Sequence, residues 1–357
     1  MKPVDSIMNA DRINYLNIGL MLISCAVAFF IPFELFLIAY AVLGPLHYLT
    51  EISWLHERKY FSKGKYDFVF LGLAAVGLFV ISYVLPKNPM TRLEPEVQRG
   101  LSTAFVYIAF AAALAMILLK TAFQRFIAVM VIMISAIITK NGMIFFSVFL
   151  PTLVHVYIFT GLFMLYGALK GRSRSGYISC IIFLLIPLSF IFLDVQPLAM
   201  TGWAKASYPQ FEALNIYMLN LWDSNLYTWP PSTQGGMDMM RTGIYSSGVG
   251  IAFMRFIAFA YTYHYLNWFS KTTVIKWHNV PKVRLAVIVV LWIAAVGFYY
   301  YDYKLGFDVL FLLSFLHVFL EFPLNHVTWI GIVTETKSIL SGKPVQASAP
   351  VMKGKKR

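Results

Sequence analysis

The chain has 357 residues, of which 59% are hydrophobic and only 13% charged, and its mean hydropathy is +0.69. Ordinary soluble domains carry about 25% charged residues, so a soluble fold, a disordered chain and a coiled coil are all excluded. What remains is an all-α, polytopic transmembrane helix bundle. The net charge of +13 fits cytoplasmic loops and anionic lipid better than nucleic acid.

A helix needs about 20 apolar residues to cross a bilayer. Such runs predict about ten spans, near 15–32, 34–56, 66–85, 101–120, 123–139, 143–169, 176–193, 249–270, 285–301 and 307–333. The first two meet at the Ile31–Glu34 turn, and the fifth and sixth at Asn141-Gly142. Leu22-Ile23-Ser24-Cys25 resembles a lipoprotein cleavage box, but it is read as part of a retained first span. Cys25 and Cys180 both lie in apolar runs and read as buried thiols, not a disulfide.

With the N-terminus inside, alternating loops place 21 of the 29 Lys and Arg residues inside and seven outside, with Arg255 in a span. That asymmetry predicts cytoplasmic N- and C-termini in a bacterial inner membrane. Residues 1–335 then form one transmembrane bundle. Within it, 194–248 is a long outer connection rich in Trp and Tyr, read as an interfacial cap. Residues 336–357 read as a disordered basic tail resting on anionic lipid.

The chain has seven histidines, and ionisable residues within membrane spans are costly and mark functional sites. His47-x3-Glu51-x4-His56 and His317-x3-Glu321-x4-His326 repeat one pattern, each in the inner half of a span. Residues i and i+4 share a helix face, so His47 aligns with Glu51 and His317 with Glu321. His56 falls on the opposite face beside Glu57, Arg58 and Lys59, as a headgroup residue would. His326 has the same offset, but Pro323 would bend its helix and return it inward. His278 lies in a Lys-Trp-His-Asn-Val-Pro loop and reads as interfacial.

His47, His155, His264 and His317 lie on four predicted spans of one direction, between the middle and the inner third of each. Four such residues can converge in a bundle core and hold a metal through neutral imidazole. His47, His155, His264, His317 and His326 are therefore the candidate metal ligands. Glu51 and Glu321 are candidate catalytic groups, accepting the second ring N–H of a ligand histidine or binding metal themselves. Cysteine ligation is absent, which leaves Fe, Zn, Cu or Mn. Open positions beside four histidines suit one or two non-haem Fe(II) ions and O₂, with Zn as the alternative. No nucleophile elbow, phosphate loop, H-E-x-x-H or dinucleotide fingerprint occurs.

Gly44-Pro45-Leu46-His47-Tyr48-Leu49-Thr50-Glu51, with histidines on later spans, resembles the bacterial Brp/Blh β-carotene 15,15′-dioxygenases. That family has an H-x3-acid element in an early span, usually with Asp where this chain has Glu51. The resemblance implies one iron held by His47, His155, His264 and His317, and a long conjugated substrate entering from the bilayer. The second H-x3-E-x4-H element, the ten predicted spans and the 194–248 connection depart from it. Ser314 ahead of His317 keeps open a likeness to ceramidase-like zinc hydrolases, although no intramembrane aspartate accompanies the histidines. A metal-free proton-coupled carrier using the His/Glu pairs is the third reading.

The expected function is thus a membrane-embedded oxygenase. Its expected partners are O₂, a lipophilic small molecule and membrane lipid. Tyr48, Trp54, Tyr157, Tyr263, Tyr265, Trp268 and Trp329 are candidates to line a substrate tunnel.

Overall fold

The structure, a computed structural model, describes residues 4–138, 145–227 and 234–342. The described residues are all-α. The helices are α1 Val4–Phe30, α2 Pro32–Glu57, α3 Asp67–Lys87, α4 Pro95–Leu118, α5 Ala122–Ile138, α6 Phe145–Gly171 and α7 Arg174–Phe192. Three shorter helices follow, α8 Gly202–Ser207, α9 Glu212–Trp222 and α10 Gln234–Ser246. The chain then continues as α11 Gly248–Ser270, α12 Lys282–Tyr301 and α13 Tyr303–Leu340.

Among the described residues, eight helices are long and apolar enough to cross a membrane, or nine with the α10–α11 pair taken as one span. The expected span at 123–139 corresponds to α5, whose described part is an apolar helix of 17 residues that ends at Ile138, where the described residues stop. The α11 helix passes only together with α10, because buried polar residues dilute its hydropathy. The expected Asn141-Gly142 turn lies outside the described residues, as does the chain beyond 342. The last helix runs on to Leu340, past the expected start of the tail at 336, and at 38 residues it is about 57 Å long.

The packing centres on α2, α6, α11 and α13. One apolar core joins α1, α11, parts of the 194–248 connection and the N-terminal half of α2 through Phe36, Leu37, Phe259 and Tyr263. The other joins α3, α4, the C-terminal end of α2 and α13 through Leu55, Leu71, Phe319 and Phe322. Both α2 and α6 contribute to each core, so these two helices sit at the seam.

Prolines shape that seam. A proline lacks the N–H that closes a helical turn and displaces the carbonyl four residues back. Ahead of Pro45, α2 widens into a π-type turn at Ala39–Leu43, and the Trp292 indole donates to the exposed Val42 carbonyl at 2.8 Å. Around Pro151, α6 is wide from Phe145 to Phe159, and Thr152 leaves helical geometry at φ −114° and ψ −105°. Such wide turns recur at functional sites because they re-aim side chains. Here the distortion lies one turn ahead of His155.

The described parts of the 194–248 segment, residues 194–227 and 234–248, are tied down. Arg255, only 4% exposed, donates to the carbonyls of Phe29 and Val195, and Glu34 Oε1 accepts from the Thr201 amide at 2.7 Å. The 63° bend between α10 and α11 turns at Ser247, whose hydroxyl accepts from the Gly250 amide at 2.9 Å. A Cβ at Gly250 would lie 1.9 Å from the Gly243 carbonyl oxygen, a backbone atom that cannot rotate away. Gly250→Ala should therefore open the bend and cost about 1–3 kcal/mol, read as a lowered Tm in detergent.

Candidate metal centre

The four expected histidines meet. His47, His155, His264 and His317 are each 6% exposed or less. Their rings form a closed circuit, with centroids 4.6 Å apart for His47–His264, 5.0 Å for His264–His155, 5.1 Å for His155–His317 and 5.4 Å for His317–His47. The Nε2 atoms of His47 and His264 are 3.0 Å apart, and those of His155 and His317 are 3.2 Å apart. Nitrogens bound about 2.1 Å from one ion stand roughly 3.0 Å apart at right angles and 3.4 Å apart at tetrahedral angles. The observed spacings match shared ligation. Ligand atoms of His47, His155 and His317 all lie within 4.8 Å of one another, and His264 stands beside that group with its Nε2 3.0 Å from His47 Nε2.

Two carboxylates stand beside the rings. Glu51 Oε2 is 3.1 Å from His47 Nε2, and Glu321 Oε2 is 3.2 Å from His155 Nδ1. Neither approach has hydrogen-bond angles, so both carboxylate oxygens, His155 Nδ1, His47 Nδ1 and His317 Nδ1 are left without a hydrogen-bond partner. The two glutamates are at most 2% exposed. Burying a carboxylate without a cation costs several kcal/mol. A single divalent ion held among the neutral imidazoles would balance both charges, so the residues present fit one such ion.

The pairing differs from the expected repeat in one respect. His47 and Glu51 face each other along α2, but Glu321 faces His155 of α6 and not His317 of its own helix. His317 instead stacks on the Tyr48 ring at 5.1 Å and 28°. Thr160 was not expected. Its hydroxyl lies 2.8 Å from His264 Nδ1 and fixes that ring. The only sequence signal for it was a hydroxyl residue in the apolar run that follows His155.

His326 is not brought to the cluster. The α13 helix continues through Pro323, and His326 Nε2 donates to the Phe110 carbonyl at 3.0 Å with its ring against that phenyl. That bond engages Nε2, and the ring packs against Phe110 rather than joining the imidazole circuit. His326→Ala should leave metal content unchanged and cost about 1 kcal/mol through the lost hydrogen bond, measured by elemental analysis and thermal unfolding of the same sample. His56 is exposed and bonds to Tyr60 Oη at 3.2 Å, and His278 is exposed.

The aromatic candidates divide. Tyr48, Tyr265 and Trp268 touch the imidazoles, with Tyr265 and Trp268 centroids 5.2 and 5.4 Å from His47. Trp54 stands one layer out, against Trp268. The Tyr157 hydroxyl donates to the Phe183 carbonyl and that of Tyr263 to Asn17 Oδ1, both away from the cluster, and Trp329 is 47% exposed.

A cavity of about 210 Å³ reaches the cluster from the cap side. His155, His264 and His317 form its floor; Phe36, Tyr40, Ile257, Phe307 and Phe311 form walls; Tyr208, Phe211 and Leu214 of the cap cover its outer part. The chain is thus a polytopic helical membrane protein with a buried histidine group able to bind a metal ion. Comparison with models of protein families, with curated proteins and with solved structures finds no match.

Proposed function

We propose that the protein is a membrane-embedded non-haem iron oxygenase that uses O₂ on a lipophilic substrate, with oxidative cleavage of a carotenoid-like polyene as the specific reaction. One observation carries this reading: three buried imidazoles, His155, His264 and His317, form the floor of an apolar cavity, with His47 directly behind His264. Nitrogen ligands with few anions suit Fe(II), and a cavity on one side leaves positions open for O₂ and substrate. Iron bound there would supply the activation of O₂. The apolar walls hold the substrate and exclude water. Thr160 and Glu321 orient the rings of His264 and His155, and Glu51 and Glu321 hold the charge balance of the site.

Ser314 lines the same cavity, which keeps a zinc hydrolase of lipid amides as the second reading. A metal-free carrier is the third. Elemental analysis of detergent-purified protein, prepared without added metal or chelator, separates them. Iron near one per chain is the expected result. Stoichiometric zinc would turn the assignment to hydrolysis, and a chain that takes up neither metal on loading would overturn both enzyme readings.

A further inference from the structure

The cavity is blind, and that fixes how a substrate would lie. On α13 its lining runs from Phe307 to Val318, on α6 from Ser147 to Val156, and on α11 no further inward than Tyr265. No lining residue lies inward of these, on the side where Glu51 and Glu321 are buried. The mouth is at the cap, where Gln210 and Ser147 are half-buried and Ala213 is exposed. Phe307 and His317 are ten residues apart on one helix, so the shaft is about 15 Å deep. A cavity of about 210 Å³ spread along that depth suits a single slender chain, and a full-length carotenoid is longer than the shaft.

We infer that this site takes an unbranched or lightly branched polyene chain end-first, so that the double bond placed at the histidines lies near one terminus and not at the middle. The inference rests on the oxygenase reading for its chemistry and on the cavity alone for its binding geometry. In the reaction, one C=C bond breaks and both atoms of one O₂ become the carbonyl oxygens of two aldehydes. No external reductant is required. End-first insertion makes those aldehydes unequal, the shorter coming from the terminus at the shaft floor and the longer from the rest of the chain, which runs through the shaft to the mouth.

Photo-crosslinking tests the geometry without metal. Metal-free protein in detergent is irradiated with two all-trans polyene fatty acids, one with a diazirine at the terminal carbon and one with it mid-chain, and the adducts are mapped by peptide mass spectrometry. The terminal probe is expected on floor residues Val156, Tyr265 and Val318, and the mid-chain probe on Val148 and Phe211, with at least a fivefold preference in each case. Val148→Trp narrows the mouth and is expected to abolish both patterns while the wild type serves as reference. Labelling that does not depend on diazirine position, or that falls only on the lipid face, would overturn the inference.

The iron-loaded protein is then given O₂ and a symmetric long-chain polyene. Aldehydes of unequal length are expected, and one half-length aldehyde would overturn the inference. Floor labelling by a protein that binds no iron would leave the cavity assignment standing and sink the oxygenase reading instead.

Discussion

His47→Ala and His317→Ala should each abolish stoichiometric metal binding, weakening it by more than about 100-fold, whereas His56→Ala should leave it intact. The reason is the closed circuit of rings: each imidazole has its neighbours on both sides within 5.4 Å. Removing one takes away an imidazole nitrogen that stands within ligand distance of its neighbours. His155→Ala and His264→Ala should behave alike, because the Nε2 atoms pair as His155 with His317 and His47 with His264. Metal content measured on monodisperse protein checks this, with His56→Ala as the control for handling. Loss of metal from His56→Ala would contradict the face argument, since His56 is exposed and bonded to Tyr60.

Glu321→Gln should lower metal affinity by about 10–100-fold without unfolding the protein. The substitution keeps the shape of a side chain that is 1% exposed and removes one of the two negative charges that balance a divalent ion. Glu51→Gln should have an effect of similar size, for the same electrostatic reason. The double variant should lose more than either alone, because it leaves an uncompensated dication in a medium where burying a bare charge costs several kcal/mol. Competition against a chelator of known affinity measures all three. If Glu321→Gln binds metal as tightly as wild type, the carboxylates are not the counter-charges of the site.

Much of this site was legible in the sequence, because the membrane narrows the options. A histidine in an apolar run has few innocuous uses, and four at one depth on separate spans leave little but convergence. His47, His155, His264 and His317 do converge. Where the sequence failed, a tertiary choice decided. His326 shares the repeat with His56, and only the path of α13 past Phe110 shows that a carbonyl takes its nitrogen. The repeat suggested that Glu321 would serve His317, but packing of α13 against α6 gave it to His155. Thr160 carries no spacing signal at all.

Most of the spans were legible from hydropathy, and the expected span at 123–139 runs past the described end of α5 at Ile138. By the same measure α11, the most buried helix of the site, qualifies only together with α10. The aromatic residues near the histidines were visible as a group. Which of them face the rings depends on helix rotation, and the π-type turns of α2 and α6 alter that rotation locally.

X-ray absorption at the iron edge of the iron-loaded protein tests the central claim most directly. The account predicts a first shell of nitrogen and oxygen at about 2.1 Å with the outer-shell scattering of three to four imidazoles and no sulfur. That scattering should diminish in His317→Ala loaded with excess iron. A shell of oxygen alone, or one unchanged by the substitution, would place the metal outside the histidine circuit and contradict the account.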